Sequence, residues 1–167
     1  MPSRRVVAGL SAGTYYLTMT VQRWYYLFDR HGRWEILADS IRYCQENKGL
    51  ALNGYVFMLN HLHIIATSQD MVGFIRDFKR HTSKQFRLNL EVTEPRVLQL
   101  FVDHKSKYQF WQNTNAPKKI ENFHFYQQKL NYIHDNPVRK GYVRRPEYWL
   151  WSSANPTSPL NVSFFTD

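Results

Sequence analysis

The chain has 167 residues, of which 43% are hydrophobic and 16% aromatic, and its formal net charge is +9. This composition excludes general disorder and predicts one domain over residues 1–167 with an apolar core, while the charge favours a polyanionic partner such as nucleic acid. The single cysteine, Cys44, excludes an intrachain disulfide and a cysteine-type zinc site.

The N-terminal segment carries Arg4 and Arg5 ahead of a short apolar run. Gly9 and Ser11 interrupt that run and a predicted strand follows at once, which argues against a signal peptide. No stretch of the chain approaches the roughly 20 apolar residues that cross a bilayer. We therefore expect no membrane association and a cytoplasmic location.

Strands and one helix alternate along the next part of the chain. Aromatic and β-branched residues predict a strand over residues 14–21, and apolar residues at helical spacing predict a helix over 34–47. Two further strands are predicted over residues 50–59 and 61–67. Asn53-Gly54 lies inside the first of these two strands and is typical of a β-bulge.

The helix predicted next is strongly basic. Ser68-Gln69-Asp70 can cap its N-terminus, and its polar positions include Lys79, Arg80 and Lys84. A helix face whose charges are nearly all positive favours contact with phosphate groups. We expect Lys79, Arg80 and Lys84, together with Arg4 and Arg5, to bind the backbone of a nucleic acid.

Three shorter elements are predicted after the basic helix. The pattern indicates a helix over residues 94–104, a fourth strand over 108–112 and a turn over 113–117. The order strand, helix, strand, strand, helix, strand predicts an α+β fold, a ferredoxin-like antiparallel sheet with helices packed on one face.

A last long helix is predicted from its cap at Asn122 to Asn136, with Pro137 ending it. Its buried seam is predicted at spacings of three and four, at Phe123, Tyr126, Leu130 and Ile133. The aromatic residues 148–151 are expected to pack on the core, and residues 155–167 to be loose.

Two histidines open the third predicted strand, within the sequence His61-Leu62-His63. Successive side chains of a strand point to opposite faces, so His61 and His63 share one face. Neutral imidazole is the commonest metal ligand, and the pair predicts a divalent-metal site. Two ordinary half-buried histidines would give the same pattern, because a bare His-x-His is a weak motif.

The last long helix places Gln128, Tyr132 and Asn136 one above another on a polar face beside the seam. Asp135 is also within one turn of Tyr132 and is an alternative to Asn136 as a ligand. Tyr132 could equally be a core tyrosine with a satisfied hydroxyl. His134 lies roughly 200° around the helix from Tyr132 and is not expected to join a common site.

Three motifs in this order resemble a known family. They are Ser11-Ala12-Gly13-Thr14-Tyr15-Tyr16, the His61-Leu62-His63 strand, and a helix with Tyr132-Ile133-His134-Asp135-Asn136-Pro137-Val138. The chain resembles the single-tyrosine transposases of the HUH endonuclease superfamily, and most closely the REP-associated tyrosine transposases. The resemblance extends from the glycine turn to Trp151-Ser152-Ser153-Ala154.

The resemblance implies specific roles for these residues. Tyr132 matches the nucleophile, and His61, His63 and Asn136 match the ligands of Mg²⁺ or Mn²⁺. It implies metal-dependent cleavage and rejoining of single-stranded DNA beside hairpins, such as repeated extragenic palindromes, through a 5′-phosphotyrosine. The protein would be a monomer or a homodimer, with Tyr132 acting on its own chain or across the dimer.

The chemistry is consistent with those residue types. Neutral ligands leave the charge of the ion available to the phosphate, and a phenol, with a reference pKa of about 10, needs a nearby cation or base to attack at neutral pH. Two alternatives remain. One is a non-catalytic nucleic-acid-binding module on a similar sheet, and the other is an HUH replication initiator or relaxase.

Overall fold

The computed structural model describes residue 10 and residues 12–166, so the expected basic arm at Arg4 and Arg5 lies outside the described residues. Three short 3₁₀ turns accompany the helices and strands. In chain order the main elements are β1 (Gly13–Thr20), α1 (Arg33–Asn47), β2 (Ala51–Phe57), β3 (His61–Ser68), α2 (Met71–Thr93), α3 (Pro95–Leu98), β4 (Lys118–Lys119) and α4 (Phe123–Arg139).

The four strands form one antiparallel sheet in the order β2-β3-β1-β4. This is the strand order of a ferredoxin-like sheet, and the predicted α+β class is confirmed. The predicted bulge in β2 is also present, since the pairing of β2 with β3 shifts register between Leu52 and Gly54.

Both faces of the sheet are covered, which differs from the predicted single layer of helices. Leu17 and Ile64 point into the larger core with α1 and α2, whereas Tyr16, Val56 and Ile65 point to a second cluster that includes α4 residues. The central strands carry apolar side chains on both faces. A sheet with that pattern needs a layer on each side, which the sequence expectation overlooked.

The fourth strand is Lys118–Lys119 rather than residues 108–112. Residues 110–112 nonetheless run along β1, where the amide of Gln112 donates to the carbonyl of Thr20 at 2.8 Å. The intervening residues 113–117 leave the regular ladder, and only the carbonyl of Asn115 bonds β1 there, accepting from Thr18 N at 2.9 Å. Two asparagines and Pro117 in this stretch explain the break, because they disfavour continuous pairing.

Three predicted helix features were wrong. The helix at 94–104 is shorter, with α3 ending at Leu98 and a 3₁₀ turn following to Phe101. Pro137 does not end α4, because the helix continues through it to Arg139. Proline disfavours the helical conformation at the residue before it but does not forbid it, and Asn136 adopts that conformation here. Phe123 is 50% exposed and so is not part of the buried seam of α4.

The close approach of α4 to the sheet depends on Gly54 in β2. A Cβ atom built on Gly54 would come within 2.5 Å of Cδ1 of Leu130 and 3.5 Å of Cδ1 of Ile133. Tyr126 contributes a second contact, because its hydroxyl donates to the carbonyl of Asn53 at 2.7 Å. Helix α4 is therefore seated directly on β2.

The C-terminal residues pack on the sheet, in contrast to the expected loose tail. Leu160 is buried, the ring of Phe165 lies 5.3 Å from that of Tyr126, and the amide of Ser163 donates to Leu52 at 2.8 Å. Apolar side chains near the end of the chain explain this packing. Within residues 12–166, no helix is both long and apolar enough to cross a bilayer.

Candidate active site

The two histidines lie on the face of β3 that is covered by α4. Strand pairing places Thr18 of β1 opposite His63 and Thr20 opposite His61. The two imidazole rings are 4.8 Å apart between centroids, at an angle of 77°. The predicted same-face arrangement of the histidines is therefore present, and their rings are adjacent.

A chain of hydrogen bonds fixes the proton on His61. Asn60 donates through Nδ2 to the carbonyl of Trp24 at 3.1 Å, so its Oδ1 is the atom that faces His61 Nδ1, 2.7 Å away. Because that oxygen can only accept, Nδ1 of His61 carries the proton. The lone pair of His61 is then on Nε2, the atom that lies 3.4 Å from Nδ2 of Asn136.

The imidazole of His63 is held by two hydroxyl groups of β1. Its Nδ1 lies 2.9 Å from Oγ1 of Thr18 and 3.0 Å from the hydroxyl of Tyr16, whose ring stacks on it at 5.7 Å. Either hydroxyl can accept from Nδ1–H, and that tautomer leaves Nε2 free to bind a metal ion. Metal-binding histidines commonly donate their other ring N–H to a polar partner, which fixes the tautomer and the orientation of the ring.

Burial keeps both imidazoles neutral at physiological pH. Desolvation, with a smaller effect of Lys140, lowers the pKa of His61 to about 4. Desolvation also lowers the pKa of His63 to about 3, assisted by the nearby charges of His61, Arg139 and Lys129. Neutral imidazole is the form that binds metal, so the environment of both side chains suits a ligand.

The third side chain at this position is Asn136, which is buried beside His61. Asp135, the alternative ligand, forms an ion pair with Arg139 at 3.2 Å instead. Within residues 12–166, no group of three or more His, Cys, Asp or Glu side chains is arranged so that it could hold a metal ion. Two imidazoles and an amide nevertheless fit a divalent ion, because an amide that presents its oxygen is a suitable ligand for Mg²⁺ or Mn²⁺.

Tyr132 lies beside the histidines of its own chain. Its ring centroid is 5.9 Å from that of His63 and 6.5 Å from that of Tyr16, both in edge-to-face geometry. The side chain is 46% exposed, so its hydroxyl is not that of a core tyrosine. The exposed side chain is therefore accessible from solvent at the edge of the histidine site.

Two cations flank Tyr132, and the sequence analysis did not identify them. The guanidinium of Arg139 lies 4.3 Å from the centroid of the Tyr132 ring, and Nζ of Lys129 lies 5.7 Å from it. Lys129 and Arg139 precede and follow Tyr132 by three and seven residues on α4. This spacing places them on the same helix face and could have revealed them.

Tyr16 and Thr18 were also missed as residues that contact His63. Their position opposite His63 depends on the register between β1 and β3, which hydrophobic alternation alone does not specify to the residue. Burial raises the pKa of Tyr16, so its hydroxyl remains protonated. His134, as predicted, lies elsewhere, with Nε2 2.6 Å from Oγ of Ser153.

The predicted phosphate-binding residues of α2 lie on the other side of the sheet from His61 and His63. Arg80 is exposed and pairs with Asp77 at 3.0 Å, whereas Lys79 is partly buried and donates to the carbonyl of Gln112 at 3.0 Å. Lys84 lines a separate depression between α1 and α2. The structure therefore separates these three residues from the histidine site, and their role in binding DNA stays a prediction.

No family model matches the chain, and no curated protein matches it either. Among solved structures, the chain is similar to the REP-associated tyrosine transposase bound to a REP hairpin. The TM-score is 0.67 at 19% identity, over 94% of this chain and 91% of that chain.

A second solved structure is a candidate transposase from Deinococcus radiodurans R1. It has a TM-score of 0.46 and 14% identity, over 75% of this chain and 92% of that chain, and this likeness is too weak to bear on the fold. The first likeness extends over nearly the whole of both chains. The fold of this chain is thus that of the REP-associated tyrosine transposase.

Proposed function

We propose that this protein cleaves and rejoins single-stranded DNA beside hairpins, with Tyr132 as the nucleophile and a divalent ion held by His61, His63 and Asn136. The observation that carries the proposal is the convergence of these four side chains in one chain. The shared fold adds to it, since the solved transposase is described as bound to a REP hairpin.

The proposed reaction is a transesterification at one phosphodiester. Tyr132 gives up its hydroxyl proton to solvent and its oxygen forms a bond to phosphorus. The bond from phosphorus to the 3′ oxygen breaks, and that oxygen takes a proton from solvent and leaves as a 3′-hydroxyl. The product is a 5′-phosphotyrosine. Because one phosphodiester replaces another, a 3′-hydroxyl can reverse the step and join two strands.

The side chains of the site divide the work. Mg²⁺ or Mn²⁺ bound by His61, His63 and Asn136 would act as a Lewis acid on the phosphate. Lys129 and Arg139 lie beside the Tyr132 ring and are placed to stabilise negative charge that develops on the phosphate oxygens. Thr18 and Tyr16 hold the ring of His63 in place.

The deciding experiment is the detection of a covalent protein–DNA adduct. A hairpin with unpaired flanking DNA is incubated with protein and Mn²⁺, and adducts are resolved on a denaturing gel. We expect an adduct with the wild-type protein and none with Tyr132→Phe, which should still bind the hairpin. The matched control is Tyr148→Phe, since Tyr148 is an exposed tyrosine outside the histidine site.

The same experiment separates the alternatives. Adduct formation by Tyr132→Phe would refute Tyr132 as the nucleophile. Tight binding by the wild-type protein without any adduct would instead indicate a non-catalytic nucleic-acid-binding module. An adduct formed equally well on DNA without a hairpin would favour a replication initiator or relaxase.

A further inference from the structure

The turn that follows β1 has an unusual backbone conformation. Arg23 and Trp24 have φ angles of 61° and 54°, and within residues 12–166 they are the only two adjacent non-glycine residues with positive φ. This left-handed region is costly for a residue that has a Cβ atom, and residues held in it cluster at functional sites. The turn lies at the histidine end of the sheet, because Thr20, the last residue of β1, pairs with His61.

Burial of the indole does not explain the conformation of Trp24. The residue is 63% exposed, so its ring contributes little to holding the turn. The fold uses its backbone carbonyl instead, which accepts from Nδ2 of Asn60 at 3.1 Å. The amide of Trp24 donates to the carbonyl of Val21 at 3.2 Å, and the amide of Val21 donates to the carbonyl of Asn60 at 2.9 Å. Asn60 is therefore bonded to the turn by its side chain and to the residue before the turn by its backbone.

The bond to Trp24 decides which end of the Asn60 amide faces His61. Because Nδ2 donates to Trp24, Oδ1 is the atom that lies 2.7 Å from Nδ1 of His61, and an oxygen there can only accept. The hydrogen bond at one ring nitrogen of a histidine determines which nitrogen carries the proton. Without the carbonyl of Trp24 the amide could rotate and present Nδ2 to the ring, which would move the proton of His61 to Nε2.

We propose that Asn60 and the left-handed turn at Arg23 and Trp24 position His61 for the metal ion of the proposed reaction. The carbonyl of Trp24 sets the orientation of the Asn60 amide, and that amide keeps the proton of His61 on Nδ1. The lone pair is then on Nε2, the atom that faces Asn136. Asn60 and Trp24 are positioning residues, since both act through His61. The inference rests on the proposed function, because it takes His61 as a metal ligand.

The test reads the tautomer of His61 in the metal-free protein. Long-range ¹⁵N–¹H correlation spectra at neutral pH show which ring nitrogen carries the proton, and burial keeps both site imidazoles neutral there. We expect the wild-type His61 to be protonated on Nδ1. Asn60→Leu, which keeps the side-chain size and removes both polar groups, should give an Nε2-protonated form and weaken Mn²⁺ binding about tenfold. His63, which Thr18 and Tyr16 hold, is the internal control and should keep its tautomer.

Two variants of Trp24 separate the backbone of the turn from the indole ring. Trp24→Gly and Trp24→Val both remove the indole, but glycine adopts positive φ readily whereas the β-branched valine does not. Trp24→Gly should therefore keep the wild-type tautomer of His61 and the wild-type affinity for Mn²⁺. Trp24→Val should resemble Asn60→Leu in both measurements.

Four results would overturn the proposal. They are a wild-type His61 protonated on Nε2, an unchanged His61 tautomer in Asn60→Leu, an unchanged Mn²⁺ affinity in Asn60→Leu, and the same His61 tautomer in both Trp24 variants. The wild-type spectrum needs no substitution. Unchanged signals of His63 report that a variant is folded, so a folding defect cannot be mistaken for a loss of positioning.

Failure of this inference is distinguishable from failure of the proposed function. Adduct formation on Tyr132, in a protein whose His61 tautomer does not depend on Asn60, would reject the positioning role and leave the cleavage reaction standing. Conversely, a tautomer and a Mn²⁺ affinity that both depend on Asn60 and Trp24, in a protein that forms no adduct, would support the positioning role and reject the cleavage reaction.

Discussion

Oγ1 of Thr18 lies 2.9 Å from Nδ1 of His63, in a pair that the antiparallel register of β1 and β3 places directly opposite each other. The hydroxyl orients an imidazole that would otherwise rotate about its side-chain bonds. Loss of such a partner typically weakens metal binding 10–100-fold. The site thus extends from α4 and β3 into the neighbouring strand.

Thr18→Val should weaken Mn²⁺ binding about tenfold, because it removes this hydroxyl and keeps the shape of the side chain. Tyr16→Phe should have a similar effect, and the two changes together a larger one. The measurement is calorimetric titration with Mn²⁺ without DNA. The control is Thr157→Val, which alters an exposed threonine far along the chain and should bind the ion as the wild type does. Equal Mn²⁺ affinity in all variants would refute the role of Thr18 and Tyr16 in orienting His63.

Direct ligands should give larger effects than Thr18. His61→Ala should abolish Mn²⁺ binding and metal-dependent cleavage while the circular dichroism spectrum remains native. Asn136→Asp should bind the ion more tightly than Asn136→Ala, because an ionised carboxylate attracts a cation more strongly than an amide does. Cleavage that persists at full rate in EDTA would contradict the assigned metal role.

Arg139 should affect the rate of cleavage more than the affinity for DNA. Removing one preorganised positive group beside developing charge typically costs about 100-fold in rate, and we expect that loss for Arg139→Gln. Arg139→Lys should recover part of the rate because it retains the charge. The matched control is Arg42→Gln on α1, which removes an arginine that pairs with Asp39. Equal cleavage rates of Arg139→Gln and the wild type in single-turnover assays would contradict the role of Arg139 in stabilising charge.

Stability should decline in acid because three histidines resist protonation in the folded chain. Burial lowers the pKa of His134 to about 4, and His61 and His63 are lowered similarly. The unfolded chain binds protons on its histidines from about pH 6.5 downward. The stability present above that pH is therefore lost progressively as the pH falls through about 4 for His61 and His134 and about 3 for His63.

The contribution of His134 can be isolated with His134→Gln. Below pH 6.5, each proton taken up only on unfolding changes the free energy of unfolding by at most about 1.4 kcal/mol per pH unit. Urea denaturation at several pH values should therefore show a shallower acid decline for His134→Gln than for the wild type. Parallel profiles would show that the buried imidazole does not resist protonation.

Affinity for single-stranded DNA should fall steeply with salt. Each phosphate contact that is lost lowers the slope of log affinity against log salt concentration by about 0.7. Arg80→Gln with Lys84→Gln should flatten the slope if α2 contacts the backbone, and Lys118→Gln with Lys129→Gln should do so on the histidine side. A slope that neither pair changes would exclude both surfaces as phosphate contacts.

Much of the site was predictable because strand and helix periodicity are local properties. Alternation placed His61 and His63 on one face, and helical spacing aligned Tyr132 with Asn136. The contacts of Thr18 and Tyr16 were not predictable, since they depend on register between strands distant in sequence. The prediction of β4 at residues 108–112 was wrong for the same reason. Pairing with β1 decides which residues form the fourth strand, and the residues that pair regularly are Lys118–Lys119.

Helix α4 docks on the sheet of its own chain, where Tyr126 donates to the carbonyl of Asn53. Tyr132 and His63 meet within one folded molecule, so their encounter does not depend on protein concentration. The translational entropy that two separate chains would lose on meeting is absent from this step. Even at high dilution, one folded chain holds the ring of Tyr132 beside the imidazole of His63.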